Sequence, residues 1–218
     1  MLNKNFQKVK KGKFIVIDGG DGSGKSTVIN HLKSILSENE NVFTREPGGS
    51  DFAQKIRELM LSDDAKMVSN RTHFGLIWAS RADHVEKTVA PALLGGKNVI
   101  SDRFDSSTYA YQIFAQEGND LKDLFFDIRE KFLGYTKPDL YIYLDVDVEV
   151  GIERTNRRNS QKQNHFDHNK NEFRQKVKDG FIEFTSLVPS RIVDANKTID
   201  FVKKECMDIV LDLINNHK

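Results

Sequence analysis

Apolar residues in this chain fall into short runs separated by longer amphipathic stretches. Runs at Phe14–Asp18, Val42–Thr44, Asn98–Ser101, Leu140–Asp145 and Arg191–Asp194, mostly β-branched or aromatic, predict strands. Helical patterns lie between them, at Lys25–Ser37, Phe52–Leu61, Thr72–Ala90, Leu121–Leu133, Val148–Arg158, Lys170–Ser186 and Thr198–Ile214. Strands alternating with helices predict an α/β fold, a five-stranded parallel sheet with helices on both faces. Such sheets bind ligands beyond the carboxyl ends of their strands. The first four strands deliver Gly19, Arg45, Asp102 and Asp145 to that edge.

The first exit carries the most chemistry. Phe14–Asp18 runs into Gly19-Gly20-Asp21-Gly22-Ser23-Gly24-Lys25-Ser26-Thr27, a G-x-x-x-x-G-K-S phosphate loop opening a helix. Its glycines let backbone N–H groups converge, and the helix N-terminus adds partial positive charge. Lys25 can reach the β- and γ-phosphates, and Ser26 can ligate Mg²⁺. A strand, a loop, Lys-Ser and a helix in the required order mark a nucleoside triphosphate site.

The other exits leave alternatives open. Arg45, before Glu46-Pro47-Gly48-Gly49, either forks onto a phosphate or is a solvated turn residue. Asp102 and Arg103 form either a metal ligand with a phosphoryl clamp or a local ion pair. Asp145 suits a metal shell or a helix cap. Arg154, Arg157 and Arg158, with Lys162 and His165 beyond them, form either a solvated basic face or a lid over the transferring phosphate, at about residues 154–170.

The 218 residues fit one domain, 1–218. A net charge of +1 argues against a dedicated nucleic-acid binder, and no apolar run approaches a membrane span. The N-terminus, basic but without an apolar region, is expected to be a frayed leader and not a secretory signal. The single cysteine, Cys206, suits a reducing compartment, so the expected location is cytoplasmic.

Taken together, these segments resemble the thymidylate kinase family over nearly the whole chain. The resemblance rests on Gly19–Thr27, Arg45-Glu46-Pro47-Gly48-Gly49, Ala79-Ser80-Arg81, Lys137-Pro138-Asp139-Leu140 with Tyr143-Leu144-Asp145, and above all the run from Asp102 through Gln112. That run reads D-R-F-x-x-S-x-x-A-Y-Q and separates this family from other P-loop kinases. The resemblance implies a P-loop NTPase fold, usually homodimeric, that moves the γ-phosphate of Mg-ATP to dTMP for thymidine nucleotide synthesis. Rival readings are a kinase of another deoxynucleotide or of a deoxynucleoside, and a nucleotide-binding protein without catalysis.

The same resemblance assigns roles. Asp21 corresponds to an acidic residue near the reacting phosphates, and Arg45 and Arg103 to the clamp on the monophosphate. Arg81 corresponds to the arginine that bonds the base, Thr108 and Gln112 to positions reading its polar edge, and Tyr111 to a wall of the deoxyribose pocket. Glu46, Pro47 and Arg57 match substrate-side positions, and Asp194-Ala195-Asn196 the turn beside adenine. Ser26 and Asp102 are the expected metal ligands; Lys25, Arg103, Arg154 and Arg158 complete the expected catalytic set with Asp21. Three positions depart from the pattern. Ile77, beside Trp78, replaces the Phe that usually stacks on thymine; Gly22 stands where some members carry arginine; His165 stands where arginine is frequent.

Overall fold

The computed structural model describes residues 12–159 and 168–215, with side-chain surroundings for all of these except 158, 159 and 168–170. Five parallel strands form one sheet: β1 (Phe14–Gly19), β2 (Asn41–Arg45), β3 (Asn98–Asp102), β4 (Leu140–Asp145) and β5 (Ser190–Asp194). Their spatial order is β2-β3-β1-β4-β5. All five expected strands are present, each within a residue of its expected bounds.

Strand β1 is central and wholly buried. Its alternate side chains point to opposite faces, as strand geometry requires. Phe14 and Val16 join a cluster with Phe74, Trp78, Tyr109 and Phe125, while Ile15 and Ile17 join one with Val28, Leu32, Val202 and Val210. Helices therefore cover both faces. The second cluster is supplied by α1 (Lys25–Ile35) and α9 (Ile199–Asn215). The first is supplied by α3 (Asn70–His84) and α6 (Lys122–Leu133), among others. The remaining helices are α2 (Asp51–Leu61), α4 (Ala90–Leu94), α5 (Asp105–Thr108), α7 (Val148–Asn159) and α8 (His168–Thr185).

Two helical stretches differ from expectation. The helix expected to end at Ala90 continues: α3, capped by Ser69 accepting from the Thr72 N–H, passes through a π-helical turn at Val85–Val89 into α4. Pro91, which has no N–H to donate, follows directly on the π-helical turn as the second residue of α4. The segment after Asp102 was expected only as a motif. It forms α5 and a π-helical stretch, Tyr109–Ala115. Its polar start hides the helical period because these side chains bond inward: Ser106 and Ser107 to Asp18, Thr108 to Arg81, and Asp105 to Arg129 and Tyr141.

Strand register sets the strand ends level. Ile17 and Arg45 both pair with Asp102, Gly19 pairs with Leu144, and Asp145 pairs with Asp194. Every exit thus opens on one edge of the sheet. Among the described residues, no helix is long and apolar enough to cross a membrane.

Candidate active site

Beyond β1 the chain turns tightly. Gly22 and Gly24 have positive φ (78° and 93°), and α1 begins at Lys25. The Lys25 ammonium donates to the carbonyls of Gly19 (2.8 Å) and Gly20 (2.9 Å). Burial lowers its pKa to about 8, with Arg103 pushing the same way against the raising effect of Asp18, Asp102 and Asp21. The lysine is thus a desolvated cation folded onto its own loop.

Arg103 is brought to this lysine by β3. Its backbone has φ 69°, and its N–H donates to the Ile17 carbonyl (3.0 Å). The guanidinium lies 3.6 Å from Asp18 and 3.5 Å from Asp21, donates to Ser107 (3.2 Å) and stands over the Tyr111 ring. Asp18 belongs to this cluster and is not among the candidates read from the sequence. Its buried carboxylate accepts from the Gly19 N–H and from the hydroxyls of Ser106 and Ser107. The available signal was an acidic residue ending an otherwise apolar strand, where a buried charge demands partners. Asp102 lies beside them. Burial raises its pKa, Lys25 and Arg103 pull it back, and its buried Oδ1 has no hydrogen-bond partner.

Asp21, Lys25, Asp102 and Arg103 line a cavity of about 800 Å³. Arg45, Glu46 and Arg57 border it after β2; Gly22–Thr27 with Asp21 cross its middle; Ala195, Lys197, Ile199 and Val202 border it after β5. Since β2 and β5 are opposite edge strands, the cavity has two ends joined by the phosphate loop. At the β2 end, Arg57 donates to the Pro47 carbonyl (2.9 Å), and burial and the charges of Arg45 and Arg103 lower its pKa. Three guanidiniums crowded this way form a site for an anion.

Behind that end lies a buried polar network. Glu46, joined to Pro47 by a cis peptide, is buried and accepts from Arg81 Nε (2.8 Å); its other oxygen is 2.9 Å from His84 Nδ1. His84 Nε2 is 2.7 Å from Thr44 Oγ1, and Arg81 Nη2 donates to Thr108 (2.9 Å). Arg81 Nη1 is left without a partner. The sequence places Glu46 beside substrate; here both its oxygens hold protein groups. His84 was not singled out, although its spacing of three from Arg81 puts both on one helical face. Gly49, with φ 91°, must lack a side chain, because a Cβ there would lie 2.4 Å from the His84 ring.

The base-reading candidates sit around this network. The Arg81 guanidinium lies over Trp78 (4.5 Å) and Phe104 (5.1 Å). Trp78 is committed to the core against Phe74, Phe125 and Phe132, so it offers no substitute for the missing aromatic at 77. Ile77 is buried but belongs to none of the apolar clusters. Gln112 shares the π-helical stretch with Tyr111, and its carbonyl accepts from Asn70.

At the β5 end, Arg154 Nη1 donates to the Ala195 carbonyl (2.7 Å), and both residues line the cavity with Thr155. Asn196 accepts from the Asp147 N–H and donates to Asp194, stitching the turn to the start of α7. Lys197, Ile199, Val202 and Thr155 were not expected; the one signal was their nearness to Asn196 and Arg154. Arg157 is exposed and paired with Glu153. Asp145 forms an ion pair with Lys178 (3.0 Å). The Arg158 side chain lies outside the description, as do residues 160–167 of the expected 154–170 lid, Lys162 and His165 among them.

The family described as thymidylate kinase matches residues 17–206. A thymidylate kinase of Marinomonas sp. is 41% identical over 199 residues, 89% of this chain and 92% of its own. One of Orientia tsutsugamushi is 38% identical over 213 residues, 94% of each chain. The crystal structure of thymidylate kinase from Ehrlichia chaffeensis superposes with a TM-score of 0.73 at 28% identity, covering 92% of this chain and 99% of that one.

Proposed function

This chain belongs to the thymidylate kinase family, and on that premise we propose how its residues carry out the reaction. It is a P-loop phosphotransferase that passes the γ-phosphate of ATP to dTMP, giving dTDP. The observation that carries the residue assignment is the two-ended cavity, crowded with arginine at the β2 end and crossed by the phosphate loop.

ATP lies along Gly19–Thr27 with its base toward Ala195, Asn196 and Lys197. The dTMP phosphate lies between Arg45, Arg57 and Arg103, beside Glu46 and Pro47. A phosphate monoester, with a second pKa near about 6, is already ionised at neutral pH, so no general base is required. The residues align two mutually repelling anions and stabilise the charge of the transfer. Lys25 exchanges its loop carbonyls for phosphate oxygens. Arg103 spans donor and acceptor, oriented by Asp18, Asp21 and Tyr111. Arg81, steadied by Glu46, turns its free Nη1 to the base, with Thr108, Gln112 and Ile77 around it. The crowding of three guanidiniums at the acceptor end disfavours an unphosphorylated nucleoside. Arg154 borders the donor, and Arg158 belongs to the same expected set.

Ser26 and the unpartnered oxygen of Asp102 fit a hard cation that keeps few protein ligands. Mg²⁺ held there would neutralise charge between the β- and γ-phosphates.

Activity of the single domain, 1–218, is tested by ADP release with ATP and a panel of monophosphates and nucleosides, with and without Mg²⁺. dTMP is expected to lead the panel; a preference for thymidine would overturn the acceptor assignment. A homodimer belongs to the same proposal, supported by the exposed Phe52, Leu59, Leu61 and Met67 on and after α2; a cytoplasmic location belongs to it as well, supported by the single cysteine. Light scattering giving a monomer mass would remove the homodimer.

A further inference from the structure

Helix α7 touches the phosphate loop backbone to backbone. A Cβ on Gly22 would lie 2.2 Å from the Gly151 carbonyl oxygen and 2.7 Å from its Cα. A Cβ on Gly151 would lie 2.5 Å from the Asp21 carbonyl oxygen. Carbon–oxygen contacts ordinarily settle at about 3.3–3.6 Å, so either methyl would force a retreat of roughly an ångström. Neither partner can yield through a flexible side chain, because both are backbone. Gly22 has an evident second reason to be glycine, its positive φ. Gly151 has none: it lies inside α7, where glycine weakens a helix by about 1 kcal/mol relative to alanine.

We infer that Gly151 is a positioning residue: its missing side chain seats α7 on the phosphate loop and so sets where Arg154 stands. Arg154 lies three residues further along, on the same helical face. Its guanidinium reaches the Ala195 carbonyl at 2.7 Å, and Thr155 donates back to the Gly151 carbonyl at 2.8 Å. Backing α7 away from Asp21 withdraws the Arg154 side chain from the cavity. A misplacement of this size far from the chemistry can cost up to about 10²-fold in rate. The inference rests on the reading that Arg154 borders the donor nucleotide.

The test is a double-mutant cycle on the full chain, Gly151→Ala and Arg154→Ala alone and together. Steady-state kinetics in ATP and in dTMP are measured with the melting temperature of each variant. Gly151→Ala is expected to lower kcat/KM for ATP about tenfold, leave KM for dTMP within about twofold, and fold normally. In the Arg154→Ala background the same methyl is expected to cost less than about twofold, because the group it displaces is gone. Equal losses in both backgrounds, or no loss from Gly151→Ala, would overturn the role of Gly151 while leaving Arg154 in place. A silent Arg154→Ala would instead overturn the donor-side reading of Arg154, and the inference with it. A Gly151→Ala chain without cooperative unfolding would make Gly151 a residue of the fold and also overturn the positional role.

Discussion

Lys25 shows how far one side chain's setting decides what can be measured. With a pKa lowered to about 8 by burial, it is half neutral at that pH while the site is empty. A triphosphate brings negative charge to the ammonium and raises its pKa, so binding must take up a proton. Above pH 8 ATP affinity is therefore expected to fall, and calorimetry at pH 8–8.5 should show heats that depend on the buffer's ionisation enthalpy, with roughly half a proton taken up per ATP. Lys25→Arg, which stays charged, should abolish the dependence; buffer-independent heats in the wild type would contradict the coupling. Ile77 carries the second expectation at this scale. It stands four residues before Arg81 on the same face of α3, and Trp78 is unavailable. Ile77→Phe should restore a stacking face worth about 1 kcal/mol, tightening dTMP roughly fivefold without changing the preferred base. If it blocks dTMP instead, the space beside Arg81 is already filled. Lys25 and Arg103 were legible because their neighbours spell a motif. Asp18 and His84 were not, since a lone polar residue in an apolar strand or on a helix shows its partners only after folding.

Between elements, the Glu46 network ties β2 to α3 and, through Thr108, to α5. Arg81 and Glu46 are almost fully buried, and His84 fully so. Such a pair is weak evidence of net stability, yet breaking it strands a buried charge. Glu46→Ala leaves the Arg81 guanidinium with its hydrogen bond to Thr108 and the Trp78 and Phe104 rings but without its counter-charge, and is expected to destabilise the protein by about 3–5 kcal/mol. Denaturant unfolding would show this as a lowered midpoint. A change below about 1 kcal/mol would mean that water or a shifted helix rescues the arginine. Helices were legible wherever a plain apolar stripe faces the sheet, as in α1, α6 and α9. The α5 and π-helical stretch was not, because its polar side chains serve Asp18, Arg103 and Arg81 and so break the stripe.

Across the whole molecule, the order β2-β3-β1-β4-β5 puts the two ends of the cavity at opposite edges of one sheet, and the proposed function gives one substrate to each end. Alternation of apolar runs was enough to foresee five parallel strands and a shared mouth. It could not foresee which strands lie at the edges, since that is decided by crossover connections. The order has a kinetic consequence. Arg57 stands at the β2 end and Lys197 at the β5 end, each lining the same cavity and neither in the phosphate loop between. If the ends serve acceptor and donor separately, the two residues lie in independent terms of binding, and their substitutions should add. Arg57→Ala removes a guanidinium from the acceptor phosphate and is expected to raise KM for dTMP about tenfold or more, with KM for ATP nearly unchanged. Lys197→Ala removes a cation held 4.5 Å over the Phe201 ring at the donor end, and is expected to raise KM for ATP by severalfold and spare dTMP. The double variant should show both defects and no third. If each substitution instead raised both KM values together, the cavity would act as one shared anion site, and the division of substrates between the sheet's edges would be wrong.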